Sequence, residues 1–171
     1  FVAQAARTNS VAIGSRSRTL VDGQISFGNG QLTSSGDSQT SLFVLRSDTT
    51  DATPEALTTN NNPTAASTTN QVVLPNDSVY GFTGTVIARE DSSSTDDFAV
   101  WEIKGGAVRG ASASTTALGS YNINKISEST GASNWSIALS ADTTNGAVAI
   151  TVTGEAAHNI RWVATINTTE V

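Results

Sequence analysis

From Gln71 to Val171 the chain is a succession of short segments in which large apolar residues alternate with Ser, Thr, Ala or Asn. Tyr80, Phe82, Val86 and Ala88 share one phase within Val79 to Arg89. Phe98 to Val108 and Tyr121 to Ile126 follow. After them come the alternating triplets Trp135, Ile137, Leu139 and Val148, Ile150, Val152, and finally Ile160, Trp162, Ala164 and Ile166. A period of two places successive side chains on opposite faces of a strand, so each segment offers one apolar face to a core. No window sustains apolar residues at helical spacing with caps, which predicts an all-β fold. Pro75-Asn76-Asp77, Asp91-Ser92-Ser93-Ser94, Gly105-Gly106, Thr144-Asn145-Gly146 and Gly154 punctuate the segments as turn signals. Short strands at about 8–12-residue spacing suggest a sandwich or barrel. The expectation is an antiparallel, jelly-roll-like β-sandwich over residues 36–171.

Composition agrees with strands. The 171 residues include 25 Thr and 22 Ser, while charged residues are only 14%. Helix surfaces draw on Glu, Lys and Arg, whereas Thr, Val and Ile suit a pleated surface. With 0 Cys there are no disulfides, no thiolate metal sites and no cysteine nucleophile. Arg7, Arg16 and Arg18 precede the first acid, Asp22, which leaves six of the 9 bases against all 15 acids in the remainder. A body so acidic cannot neutralise a run of phosphates, so nucleic acid is not an expected partner. No run of about 18 apolar residues exists to insert into a membrane as a helix.

The first thirty residues hold a repeat. Ser10-Val11-Ala12-Ile13-Gly14 is echoed by Gln24-Ile25-Ser26-Phe27-Gly28, with the two glycines 14 residues apart. Alternation places Val11 and Ile13 on one face and Ile25 and Phe27 on the same face one repeat later. Two rungs cannot bury an apolar stripe alone, so neighbours or other chains are expected to cover it. An ordinary hairpin is the simpler alternative. Residues 1–35 are therefore read as a unit apart from 36–171, with the stripe of Val11, Ile13, Ile25 and Phe27 awaiting such a cover. Between Asp48 and Asn70 the chain is polar, with Pro54 and Pro63, and Leu57 marks at most one brief strand.

Chemistry finds little support. The only histidine, His158, lies in a turn, and no Gly-x-Ser-x-Gly elbow accompanies it. Glu90-Asp91 and Asp96-Asp97 flank a Ser-rich turn and would be needed as a carboxylate pair for glycan hydrolysis. A solvated hairpin tip is the simpler reading, and the spacing of an EF-hand calcium loop is missing. No catalytic residue, metal site or cofactor is expected. Trp101, Trp135 and Trp162 each share the phase of apolar neighbours and read as core. Tyr80 and Tyr121 are the freer aromatics for a sugar, and Asp96 and Asp97 complete the candidate binding residues.

Two stretches carry a resemblance. Asn9-Ser10-Val11-Ala12-Ile13-Gly14, followed by Ser15 and Ser17, resembles the head repeat of trimeric autotransporter adhesins, which implies that residues 1–35 form a β-roll or collar with Val11, Ile13, Ile25 and Phe27 as a trimer core. From about Gly36 onward the chain resembles C-terminal regions of phage tail fibre proteins. The carriers are Asp37-Ser38-Gln39-Thr40, Val44-Leu45-Arg46 with Ala52-Thr53-Pro54, Leu74-Pro75-Asn76-Asp77-Ser78, Ile87-Ala88-Arg89, Val152-Thr153-Gly154-Glu155-Ala156 and Ile160-Arg161-Trp162-Val163-Ala164. That resemblance implies a homotrimer at the distal end of a fibre, exposed on a virion surface and binding a bacterial surface glycan or outer-membrane receptor. It carries over no catalytic motif. A glycan-degrading tailspike-type domain and a purely structural trimerisation or decoration module are the alternatives.

Overall fold

In the computed structural model, which describes residues 2–91 and 96–171, the chain is all-β. The strands are β1 (Val11–Ser15), β2 (Ile25–Asn29), β3 (Gln39–Thr49), β4 (Glu55–Ala56) and β5 (Val72–Val73). They continue with β6 (Ser78–Glu90), β7 (Phe98–Arg109), β8 (Ala117–Glu128), β9 (Ser136–Asp142), β10 (Ala147–Thr153) and β11 (Ile160–Glu170). A seven-stranded sheet has the order β1-β2-β3-β11-β6-β7-β8, and a second sheet joins β4, β10 and β5 with β9 added against β10. The last strand thus lies in the middle of the large sheet. Among the described residues every strand pair is antiparallel except β1–β2, which is parallel. The large sheet is therefore mixed: its parallel pair lies within residues 1–35, and the strand pairs within residues 36–171 are antiparallel as expected.

The alternating residues of the sequence face each other between the two sheets. Phe43, Leu45, Tyr80, Phe82, Val86, Trp101, Ile103, Trp162 and Ile166 are buried on the inner face of the large sheet. Leu139, Val148, Ile150 and Val152 answer from the small sheet, with Trp135, Leu57 and Leu74 from the flanking loops. Trp162 is the junction. Its ring stacks on Trp101 at 5.6 Å between centroids and meets Trp135 at 6.0 Å. Its indole N–H donates to Thr49 Oγ1 at 2.9 Å, so the polar end of the buried ring is satisfied. The turn read as Thr144-Asn145-Gly146 closes β9 onto β10. The Asp142 carboxylate accepts the backbone N–H groups of Thr144 and Asn145, each at 2.9 Å, and Gly146 takes a φ of +73°.

The 14-residue repeat folds as two stacked coils and not as a hairpin. Val11 pairs with Ile25, Ile13 with Phe27 and Gly14 with Gly28 in parallel register. A second parallel bridge, Gln4 to Arg18, repeats the same offset on the next side of the coil. Gly14 turns the chain at a φ of +90°, a conformation that a side chain would strain. β2 then pairs antiparallel with β3, so the 1–35 segment is continuous with the large sheet.

Beneath the coils the interior is polar. Gln24 Oε1 accepts the N–H groups of Leu20 and Val21 at 2.6 and 3.1 Å, and its amide donates to Ser41 Oγ at 2.8 Å. Gln39 accepts from the Arg18 N–H and donates to Glu170 Oε2 at 2.7 Å. Each of these buried amides is thereby paired.

Removing the Trp162 ring takes away the contact that joins the two sheets. Trp162→Ala should lower the unfolding free energy by ~3–5 kcal/mol, read as a shift of the urea midpoint at unchanged slope. A stable variant with the wild-type midpoint would show that the core is organised elsewhere.

Candidate functional site

The face of the large sheet turned away from the small sheet carries the functional candidates. Register places one row of side chains across all seven strands: Val11, Ile25, Leu42, Asn167, Thr83, Lys104 and Asn122. The row changes character at its middle. Its β1–β3 half is apolar and continues into Ile13, Phe27 and Val44, while its β11–β8 half is made of amides, hydroxyls and a lysine.

The apolar half is where the sequence placed a trimer core. Val11, Ile13 and Phe27 are 45%, 48% and 44% exposed, and Ile25 is half-buried. On the opposite side of the same two coils Ser17, Thr19, Gln24 and Ser26 are fully buried. The usual polarity of a surface strand is thus reversed, because the coil turns its hydroxyls and amides inward and its large apolar groups outward. Scattered apolar side chains on a surface need no explanation, whereas these stand in register on neighbouring strands. Val163, Ile87 and Val100 form a second apolar row further along the face, paired across β11, β6 and β7.

Within the polar half lies an open depression of about 660 Å³, lined among others by Gly81, Thr83, Lys104, Tyr121, Asn122 and Asn167. Gly81 leaves its floor bare, with no atom within 4 Å of where a Cβ would stand. Gly105 is needed for close approach, since a Cβ there would fall 2.7 Å from Tyr121 Cβ and 2.8 Å from Phe82 Cζ. Tyr121 shares the inward row of Phe82 and Gly105, on the other face from Gly81, Thr83, Lys104 and Asn122, and stays 50% exposed because β8 is the edge strand.

The other aromatic candidate is corrected. Tyr80 points inward from β6 and is 1% exposed, so it presents no face to a sugar. Burial, reinforced by the neighbouring Glu170 carboxylate, raises its pKa well above the ordinary tyrosine value. Its hydroxyl lies near that carboxylate without a well-formed hydrogen bond. The hydroxyl suggested a surface position, but the phase of Tyr80, shared with Phe82 and Val86, is that of the core.

The carboxylates are dispersed by their partners. Asp96 pairs with Arg89 at 2.5 Å, and Asp97 accepts the Ser129 hydroxyl at 2.6 Å. Asp91 pairs with Arg161 at 2.6 Å. His158 Nδ1 lies 2.9 Å from Oε1 of the buried Glu90. The Ser-rich centre of this turn, residues 92–95, lies outside the described residues. Among the described residues no three His, Asp or Glu side chains gather as a metal set, and no helix is long and apolar enough to cross a membrane.

Alternation along each strand could have shown that Thr83, Lys104, Asn122 and Asn167 point outward, but only the register brings them into one row. The chain matches no known protein family, no curated protein and no solved structure.

The raised pKa of Tyr80 has a consequence at high pH. The folded protein holds the phenol neutral, so this contribution is complete below the unfolded value near ~10 and is lost as pH rises toward the folded value. Thermal melts between about pH 8 and pH 11 should show stability falling above ~10. Tyr80→Phe should flatten that fall while changing little at pH 7, where the hydroxyl lacks a good partner. An unchanged alkaline slope in Tyr80→Phe would assign the fall to another group.

Proposed function

We propose that this chain is the receptor-binding tip of a phage tail fibre. It works as a homotrimer on the virion surface and attaches to a bacterial surface glycan or outer-membrane protein without turning it over. The observation that supports this reading is the divided outer face, with an apolar stripe at the β1–β3 edge and a polar, glycine-floored half toward β8.

A stripe left half-exposed by the fold is suited to contact with other copies. Full burial of a large apolar side chain is worth ~1.5–3 kcal/mol, so covering the exposed half of each adds roughly 1 kcal/mol per residue per copy. In a threefold ring the contact is heterologous, and the stripe of one copy meets a different patch of the next. Val163, Ile87 and Val100 form a further apolar row on the same face and are suited to that part. Three presented sites raise avidity by about 10²–10⁴ over one weak site, which compensates for a shallow binding surface. The ion pairs and hydrogen bonds of Asp91, Asp96 and Asp97 support a role in holding a turn over one in hydrolysis.

A purely structural trimerisation module is the second reading, because the stripe by itself requires only copies of the chain. Two measurements decide between them. Light scattering at micromolar concentration should give three times the 17.6 kDa chain mass, and Phe27→Asp should reduce it to one. Fluorescently labelled trimer should bind cells of a susceptible bacterium and lose most of that binding in Phe27→Asp. A trimer that binds no strain of a broad panel would leave the structural reading standing, and a monomeric wild type would overturn both.

A further inference from the structure

We infer that two cross-strand glycines, Gly81 and Gly106, form a seat on the outer face that receives Phe27 and Ile13 of the next copy of the chain. This inference rests on the homotrimer reading and gives it a specific contact between copies.

The seat is a hollow that the packing of the chain does not require. Gly81 and Gly106 are partners in the β6–β7 register, and both face outward. A Cβ at Gly81 would meet nothing within 4 Å, and one at Gly106 only the Tyr80 carbonyl oxygen at 3.9 Å. Neither residue takes a positive φ. Gly84 and Gly105, on the inner face of the same strands, differ. A Cβ there would fall 2.5 Å from Ile166 Cδ1 and 2.7 Å from Tyr121 Cβ. Gly106 lies opposite a bulge in β8, but Gly81 is paired regularly on both sides. Glycine weakens a strand interior, and where neither a bulge nor crowding calls for it, close approach by another body is the remaining reason.

The flanks of the hollow suit an apolar guest. Val79 and Val108 stand side by side along one flank with Val171 next to them, all three about half-exposed. Thr83 and Lys104 form the other flank, where the aliphatic stem of the lysine lies against a guest while its ammonium stays in water.

The guest is supplied by the chain itself. Register carries Ile13 and Phe27 through Thr40 and Thr169 to Gly81 and Gly106 in a single row. That row holds two large side chains at one end and two missing side chains at the other. Phe27 and Gly81 are three strand spacings apart, about 14 Å, which is more than a phenylalanine side chain spans. The knobs therefore cannot fill the hollow of their own chain, whereas those of a neighbour can, in the heterologous contact that a ring repeats.

The area fits such a partner. Of the fourteen large apolar side chains left exposed among the described residues, ten stand on this outer face. At roughly 50 Å² apiece they present about 500 Å², close to the apolar share of the ~800 Å² that one partner brings to a standard interface. A copy that gives one end of the face to each neighbour covers that surface in two contacts.

Light scattering at equal micromolar chain concentration tests the seat on four samples. These are wild type, the filled variant Gly81→Val, the knobless double variant Ile13→Ala with Phe27→Ala, and a 1:1 mixture of the two variants. Valine suits a strand, and its Cβ enters open space. Wild type should give three times the 17.6 kDa chain mass. Each variant alone should give one chain mass, because every contact of the ring is broken. The mixture should give twice the chain mass, since the intact knobs of the filled chain meet the intact hollow of the knobless one and the pair cannot close. Fluorescence of the buried tryptophans should match wild type throughout. Gly81→Ala, the smallest filling, should raise the concentration at which the trimer half-dissociates at least tenfold.

A trimeric Gly81→Val, or a mixture that stays monomeric, would overturn the seat while leaving the homotrimer reading intact. So would unchanged dissociation of Gly81→Ala. A monomeric wild type would overturn the homotrimer reading and the seat with it.

Discussion

The contact of Trp162 with Trp101 and Trp135 is the interaction on which the rest depends. β11 is the last strand in sequence and the central one in the large sheet, paired over its full length with β3 on one side and β6 on the other. The sheet therefore cannot be completed until residues 160–170 are in place, and its two halves meet only through them. Trp162 anchors that strand from below by filling the space between the sheets. A topology closed by such distant pairings places this chain among slow-folding β proteins. Its outer face is also the flat back of the sheet whose inner face Trp162 holds.

Polarity is arranged unusually at the β1–β3 edge. The two stacked coils enclose Gln24, Ser26 and Ser41 and turn Val11, Ile13 and Phe27 outward. The enclosed amides are viable because their donors and acceptors find partners. Gln24 alone serves two backbone amides and Ser41, and Gln39 ties Arg18 to Glu170 across β3. A hydrogen bond contributes only ~0.5–1.5 kcal/mol net, but an orphaned buried group costs about 1–3 kcal/mol, so this network is protected by what its loss would entail. Register is one consequence. A slip of one residue in β2 would bring the apolar groups inside and leave Gln24 without its partners.

The same sheet is used differently at its other edge. Around the depression the outward positions are Thr83, Asn167, Lys104 and Asn122, with Gly81 beside them, while Val163, Ile87 and Val100 lie further along. One continuous row thus passes from apolar side chains to polar and charged ones. A rigid sheet makes such a division possible because its backbone is saturated with hydrogen bonds from strand to strand. Either half is free to specialise without altering the fold beneath. The opposed charges at the far end, Arg89 with Asp96 and Arg161 with Asp91, are exposed ion pairs of the kind that add little stability and serve to hold the end of the hairpin.

What the sequence by itself determined is everything that depends on neighbours along the chain. Alternation is a property of one strand, so the strand class, the inward phase of Trp101, Trp135 and Trp162, and the turn at Asn145-Gly146 could all be read from it. The 14-residue repeat was equally legible, because Val11 and Ile25 carry the same phase at a fixed offset. Pairing partners were not. Nothing local states that β11 lies between β3 and β6, or that the repeated segments stack in parallel rather than fold back as a hairpin. Tyr80 shows the limit most clearly. Its phase matched the core and its hydroxyl suggested a surface, and only the packing of Glu170 and the inner face decided that it is buried. Thr83, Lys104, Asn122 and Asn167 lie far apart in sequence and become a single row only through register. The physical reason is that backbone hydrogen bonding between strands is indifferent to side chain identity, so which strands meet is selected by the core they jointly bury.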